Sequence, residues 1–187
     1  MDVSLGIDIG SVNLSITMIN YAKNNQWFIS DTRIINTGIK RIWNTKSIAI
    51  TMKKVLDDYI NEFANKINIK VVIIESQPPK RRDMNRILTS IVCYFTMLFN
   101  GIIVKTIRSP EKFKISGIRC PSGRKNYNLR KSMSITLGQN SLLDKNNIYY
   151  DHNTLWCTYI NKIFPKRDDI YDGLLLVLHY HGYKYNL

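Results

Sequence analysis

Hydrophobic residues recur along this chain in two rhythms, and the change from one to the other sets the expected order of elements. Residues 3–9 are largely apolar and stop at Gly10-Ser11, as a buried strand ending in a turn does. In 12–20, Val12, Leu14, Ile16 and Met18 take alternate positions, the period of a half-buried strand. Residues 27–37 read as a third strand, and the short links make the three an antiparallel meander. Then the period lengthens. Ile48, Met52, Val55, Leu56, Tyr59 and Phe63 share one helical face, which predicts an amphipathic helix over 46–66. The Val/Ile run 70–75 is nearly continuous, as in a parallel strand covered on both faces. A second helix over 83–99 and a strand over 102–108 follow. Residues 110–143 are basic and mixed, with a helix over 127–137, and an apolar helix over 168–180 closes the chain. Residues 144–164 show no clear period. The order βββαβαβαα predicts an α/β domain with a five-stranded mixed sheet, three antiparallel strands then two parallel, flanked by helices. With 187 residues and no repeat or linker, residues 1–187 read as one domain.

Charge changes the picture more than composition does. The chain is 44% hydrophobic, enough for a sizeable core, but Lys and Arg number 27 against 14 Asp and Glu. The formal charge of +13 favours a polyanionic partner, nucleic acid first. No apolar run approaches the ~18 residues of a membrane span. Neither a signal-peptide pattern nor a basic amphipathic helix is present, so the expectation is an intracellular protein without a membrane partner. Three widely spaced cysteines form neither a disulfide framework nor a zinc motif. Cys93 and Cys157, among apolar neighbours, read as reduced core thiols; Cys120, among basic and turn residues, reads as a reactive candidate.

The candidate chemistry is acidic. Asp8 lies inside the first apolar run, Glu75 ends the buried Val/Ile run, and Asp168, Asp169 and Asp172 open the closing helix. A carboxylate in a strand core is costly unless a counter-charge meets it. Asp169 and Asp172 lie three residues apart and Asp168 and Asp172 four, so either pair shares a helix face. Converging carboxylates repel one another unless divalent cations neutralise them, and oxygen-only ligation suits Mg²⁺ or Mn²⁺ rather than zinc. Taken singly, each acid has a plainer role as a turn residue, an ion-pair partner or a helix N-terminal charge.

Taken together they resemble a family. Gly6-Ile7-Asp8-Ile9-Gly10-Ser11 resembles the first-strand motif of the RuvC-type Holliday-junction resolvases, within the RNase H-like (retroviral integrase) superfamily. Val72-Ile73-Ile74-Glu75-Ser76-Gln77 resembles their second motif, and Asp169-Ile170-Tyr171-Asp172-Gly173-Leu174-Leu175 their closing element, with Gly173 where alanine is usual. The segment Ser109–Gly117 and the Asn-, Lys- and Ile-rich character look closest to the poxvirus members. The resemblance implies an RNase H-like fold and a metal-dependent endonuclease that cuts four-way and branched DNA symmetrically. It further implies a homodimer, two Mg²⁺ per active site with Mn²⁺ able to substitute, and resolution of viral replication concatemers in the host cytoplasm. By position it makes Asp8, Glu75, Asp169 and Asp172 metal ligands, with Asp168 competing with Asp169. It places a functional lysine at Lys112 or Lys114; Lys114 is taken as the catalytic candidate, with Lys131 on the next helix.

Basic residues cluster around these motifs. Lys80, Arg81 and Arg82 follow Glu75, and Lys105, Arg108, Lys112, Lys114, Arg119, Arg124, Lys125, Arg130 and Lys131 form the densest stretch. Lys80, Arg81, Arg82, Lys112, Arg130 and Lys131 are the candidate nucleic-acid contacts; Phe113 and Tyr127 are candidates to stack on a base or to pack in the core. The helix from Ile87 to Phe99 is assigned to the dimer interface. Three other readings stand beside the leading one. An RNase H-like or rRNA-processing nuclease acting on RNA would carry the same acids. A non-catalytic branched-DNA-binding module would not need them all. A sugar kinase or actin-like ATPase shares the Ile7-Asp8-Ile9-Gly10-Ser11 pattern but needs a second domain.

Overall fold

The protein's structure, a computed structural model, describes residues 1–10, 12–22, 26–40, 43–63, 66–117, 120 and 126–183. Ser11, Arg119, Arg124 and Lys125 lie outside the described residues. The strands are β1 (Asp2–Ile9), β2 (Asn13–Tyr21), β3 (Trp27–Asn36), β4 (Asn68–Ser76) and β5 (Ile103–Arg108). The α-helices are α1 (Thr45–Asn61), α2 (Arg82–Leu98), α3 (Tyr127–Leu142), α4 (Tyr150–Ile163) and α5 (Arg167–Tyr180). A 3-10 stretch spans Ser109–Ser116.

The sheet order is β3-β2-β1-β4-β5. β1, β2 and β3 pair antiparallel, while β4 pairs parallel with both β1 and β5. This is the expected mixed α/β sheet.

The alternation of side chains along each strand decides which residues face which layer. Val3, Leu5, Ile7 and Ile9 of β1, with Val72 and Ile74 of β4, join the core formed with α1 and α2. The intervening residues face the other way. Val71 and Ile73 pack with Leu176 of α5, and Ser4 bonds His181 just beyond it. Asp8 and Glu75 continue these two series, so strand alternation turns both carboxylates towards α5. The register that sets Gly6 beside Ile73 and Ile7 beside Ile74 brings the two acids out side by side.

Helix α5 lies directly on the sheet. Its residues Ile170, Leu174, Leu175, Leu176, Val177 and Leu178 are fully buried. The approach to β1 leaves no room for side chains: a Cβ on Gly6 would lie 2.0 Å from the carbonyl oxygen of Gly173. Glycine at 173 also fits this contact, because a Cβ there would meet Thr17 Oγ1 at 3.0 Å and the Gly6 oxygen at 3.1 Å.

Helix α4 occupies the stretch that shows no period in the sequence. Its buried residues are Asn153, Cys157 and Ile160, and the first of these is polar. Asn153 serves the edge strand: its Oδ1 accepts from Ile29 N and its Nδ2 donates to the Trp27 carbonyl. Apolar Leu155, Tyr159 and Ile163 face outward instead. Other boundaries shift by a few residues. The first helix ends at Asn61 rather than 66, and α3 runs on to Leu142.

Two cysteine expectations need correction. Cys93 is exposed, because its apolar neighbours in sequence turn inward while it sits on the outer side of α2. Cys120 does not carry the signature of a reactive thiol, since burial pushes its thiol pKa up, outweighing the opposing pull of Arg130 and Lys112. Cys157 is buried as expected.

His181 offers a clean test of the α5–β1 packing. Its Nε2 lies 2.9 Å from Ser4 Oγ and its ring stacks on Tyr21 at 4.0 Å. Burial holds its pKa below the ordinary histidine value. The unfolded chain therefore binds the proton more readily, so this contribution to stability is present above pH ~6.5 and is lost as the pH falls through the folded value. Urea unfolding of His181→Gln against the wild-type chain should show a difference at pH 7.5 that narrows towards pH 5. Among the described residues no helix is long and apolar enough to cross a membrane.

Candidate metal centre and nucleic-acid cleft

Three elements meet at the carboxyl ends of β1 and β4. β1 supplies Asp8, β4 supplies Glu75, and the first turns of α5 supply Asp172. One oxygen from each carboxylate lies within 4.8 Å of the others. Into this group projects Lys112 from the 3-10 stretch. Its Nζ lies 2.9 Å from Glu75 Oε2 and 2.8 Å from Asp172 Oδ1, and the residue is only 1% exposed.

The short helix explains why Lys112 occupies this place and Lys114 does not. With about three residues per turn, positions three apart share a face. Lys112 and Ile115 both turn inward, and Phe113 is buried beside them, while Lys114 is exposed. The catalytic-lysine candidate Lys114 therefore lies outside the acidic group, and Lys112, a candidate DNA contact, lies inside it.

Electrostatics show a site short of positive charge. Burial, then Glu75 and Asp172, raise the Asp8 carboxyl well above the ordinary range. Burial also pushes Asp172 up, against the pull of Lys112, to about 6. Glu75 behaves differently: burial pushes it up, but Lys112 and other donors outweigh this and hold it below its usual value. Burial would lower the Lys112 ammonium, yet the three acids overcome that and raise it, so Lys112 is charged. Three carboxylates against one ammonium leave an excess of negative charge that a hard divalent cation would balance. The donor set is all oxygen, which fits Mg²⁺ or Mn²⁺.

α3 contributes a residue the sequence did not single out. Ser134 is buried and its hydroxyl donates to Asp172 Oδ1. A serine inside a mixed helix gives no local signal; only the fold sets it against the acid. Asp168 is held by an ion pair with Lys131, whose ammonium also lies 5.2 Å from the centre of the Tyr127 ring. Asp169 is half-buried, and burial and Asp168 raise its carboxyl. Neither Asp168 nor Asp169 joins the group formed by Asp8, Glu75 and Asp172, but both line the cleft above it.

That cleft has a volume of about 850 Å³. The acids form its floor, and Arg81, Arg108, Tyr127, Arg130, Lys131 and Lys166 are among its lining residues. Lys80 and Arg82 are exposed but do not line it. Tyr127 is 54% exposed, so its ring is available at the rim, whereas Phe113 belongs to the core.

Comparison with solved structures places this architecture. The chain superposes on the fowlpox virus resolvase, solved with substrate Holliday-junction DNA, with a TM-score of 0.63 and 20% identity over 96% of this chain and 97% of that one. This is a RuvC-type resolvase fold. Thermus thermophilus RuvC, solved with a Holliday-junction substrate, gives a TM-score of 0.57 at 12% identity, covering 96% of this chain and 92% of that one. The yeast mitochondrial Holliday-junction resolvase Ydc2 gives 0.57 at 15% identity, covering 95% and 78%. No protein-family model and no curated protein matches the sequence. In this RuvC-type fold the acids lie where strand ends meet a helix start, a general location for functional groups in α/β sheets.

Proposed function

We propose that the protein is a Holliday-junction resolvase, a metal-dependent endodeoxyribonuclease that nicks four-way and branched DNA in symmetrical pairs. The observation that carries this reading is the convergence of Asp8, Glu75 and Asp172, drawn from three elements, beside buried Lys112 at the floor of a basic-rimmed cleft. Likeness in fold to the fowlpox, Thermus and yeast resolvases supports the choice of substrate. The net charge of +13 supports a polyanionic partner.

Asp8, Glu75 and Asp172 would hold the divalent ions, with Asp169 within the same cleft as a further carboxylate. Two bound cations would supply water activation and stabilisation of the leaving oxygen at the phosphodiester. Arg81, Arg130 and Lys131 line the cleft and would orient the phosphates. Lys112 would offset negative charge developing at the phosphodiester.

Two copies are required for paired nicks, and α2 is the proposed interface. Its inner face, including Ile87, Ile91 and Phe95, is buried in its own subunit, while Cys93, Met97 and Leu98 are exposed. Met97→Glu should shift the protein from dimer to monomer in analytical ultracentrifugation; an unchanged mass would exclude this surface. Poxvirus-like resolution of replication concatemers in the host cytoplasm is part of the same proposal, supported by the fowlpox likeness.

The deciding assay offers the protein, with Mg²⁺, a synthetic four-way junction, a linear duplex and an RNA–DNA hybrid. Paired nicks in the junction, with the duplex spared, are expected. Cleavage confined to the hybrid would favour an RNA-directed nuclease. Tight junction binding without cleavage would leave a binding module.

A further inference from the structure

The ammonium of Lys112 sits between Glu75 Oε2 and Asp172 Oδ1, at 2.9 and 2.8 Å, in space bordered by the same carboxylates that would coordinate a divalent cation. Lys112 is almost wholly buried, and the neighbouring Phe113 and Ile115 are packed into a core with Leu137 and Leu175. The backbone that carries the ammonium is therefore anchored. Ser134 donates to the same Asp172 oxygen, so two donors already engage Oδ1. The ammonium therefore occupies one bonding position on each of two carboxylates that a divalent cation would need.

We propose that Lys112 is the residue that sets metal occupancy: it acts as a built-in cation that limits the site to one firmly held divalent ion until DNA arrives. A second ion then enters only with the negative charge of the phosphodiester. This rests on the metal-dependent reading given above. Removing the ammonium frees oxygens on two carboxylates and removes a like charge next to the incoming cation. In a buried site both effects favour metal binding.

The test is Mn²⁺ binding to the full-length protein without DNA, by isothermal titration calorimetry at pH 8. The wild-type chain should take up one ion per protomer. Lys112→Met should bind the first ion about tenfold more tightly or more, or take up a second. Lys54→Met removes the same formal charge from an exposed position on α1 and should bind as the wild type does. Thermal melting supplies a second readout: the metal-free Lys112→Met protein should melt lower, and Mn²⁺ should raise its melting temperature more than that of the wild type. If methionine prevents folding, Lys112→Gln should show the same gain in affinity. Unchanged or weaker Mn²⁺ binding by these variants overturns the inference, as does firm binding of two ions by the wild type, and in either case the metal-dependent reading survives. Absence of Mn²⁺ binding in the wild type and every variant overturns both.

Discussion

Glu75→Gln should reduce nicking of a four-way junction by about 10³-fold or more while junction binding persists. The substitution is nearly isosteric, so it isolates charge from shape. Glu75 is the carboxylate that Lys112 holds in its ionised form against the cost of burial. A neutral amide would remove one anionic ligand, and Lys112 would keep its contact with Asp172. The fold should therefore persist: no charge is left buried without a partner, the situation that makes breaking such pairs costly. Removing Glu75 also takes away one of the charges that raise Asp8 and Asp172. DNA binding, proposed to rest on the basic residues around the cleft, should change little. Single-turnover nicking of a labelled junction, beside an electrophoretic mobility assay of the same protein, reads the two quantities separately. Nicking by Glu75→Gln at a wild-type rate would remove this acid from the reaction.

The fold was legible where local and tertiary demands agree. Continuous or alternating runs of apolar residues marked β1, β2 and β4, because each is covered by helices on at least one face. The convergence of Asp8 and Glu75 was legible in part for the same reason: each interrupts or ends a run whose periodicity assigns it a face. Helix α4 was hidden because its inner face begins with Asn153, which satisfies backbone groups of the edge strand, while Leu155, Tyr159 and Ile163 point outward. A hydrophobicity pattern cannot report burial whose purpose is hydrogen bonding. The choice between Lys112 and Lys114 was not legible for a different reason. Both are lysines two positions apart in a basic segment, and only the 3-10 geometry of Ser109–Ser116 turns one of them into the acids. Ser134 carried no signal because its role exists only through Asp172.

Gly6→Ala should be the most damaging single-methyl change near the site, lowering unfolding free energy by about 3 kcal/mol or more in urea titrations. The added Cβ would lie 2.0 Å from the Gly173 carbonyl oxygen and 3.0 Å from Val177 Cγ2. The first is a main-chain atom in the interior of α5 and cannot rotate aside, so β1 and α5 must separate. Against a typical total of about 5–15 kcal/mol, that is a large fraction. Function should fall further than stability alone explains. Gly6 lies two residues before Asp8, and Gly173 follows Asp172, so the backbone contact that the methyl would pry open also sets the spacing of the two carboxylates. A shift of about 1 Å in reacting groups can cost about 10²-fold in rate. Gly173→Ala supplies the contrast. Its Cβ would face Thr17 Oγ1 at 3.0 Å and the Gly6 oxygen at 3.1 Å, and alanine favours the helix by about 1 kcal/mol, so a much smaller loss is expected. Were Gly6→Ala to match the wild type in both unfolding and junction nicking, the β1–α5 contact could not be what brings Asp8 to Asp172.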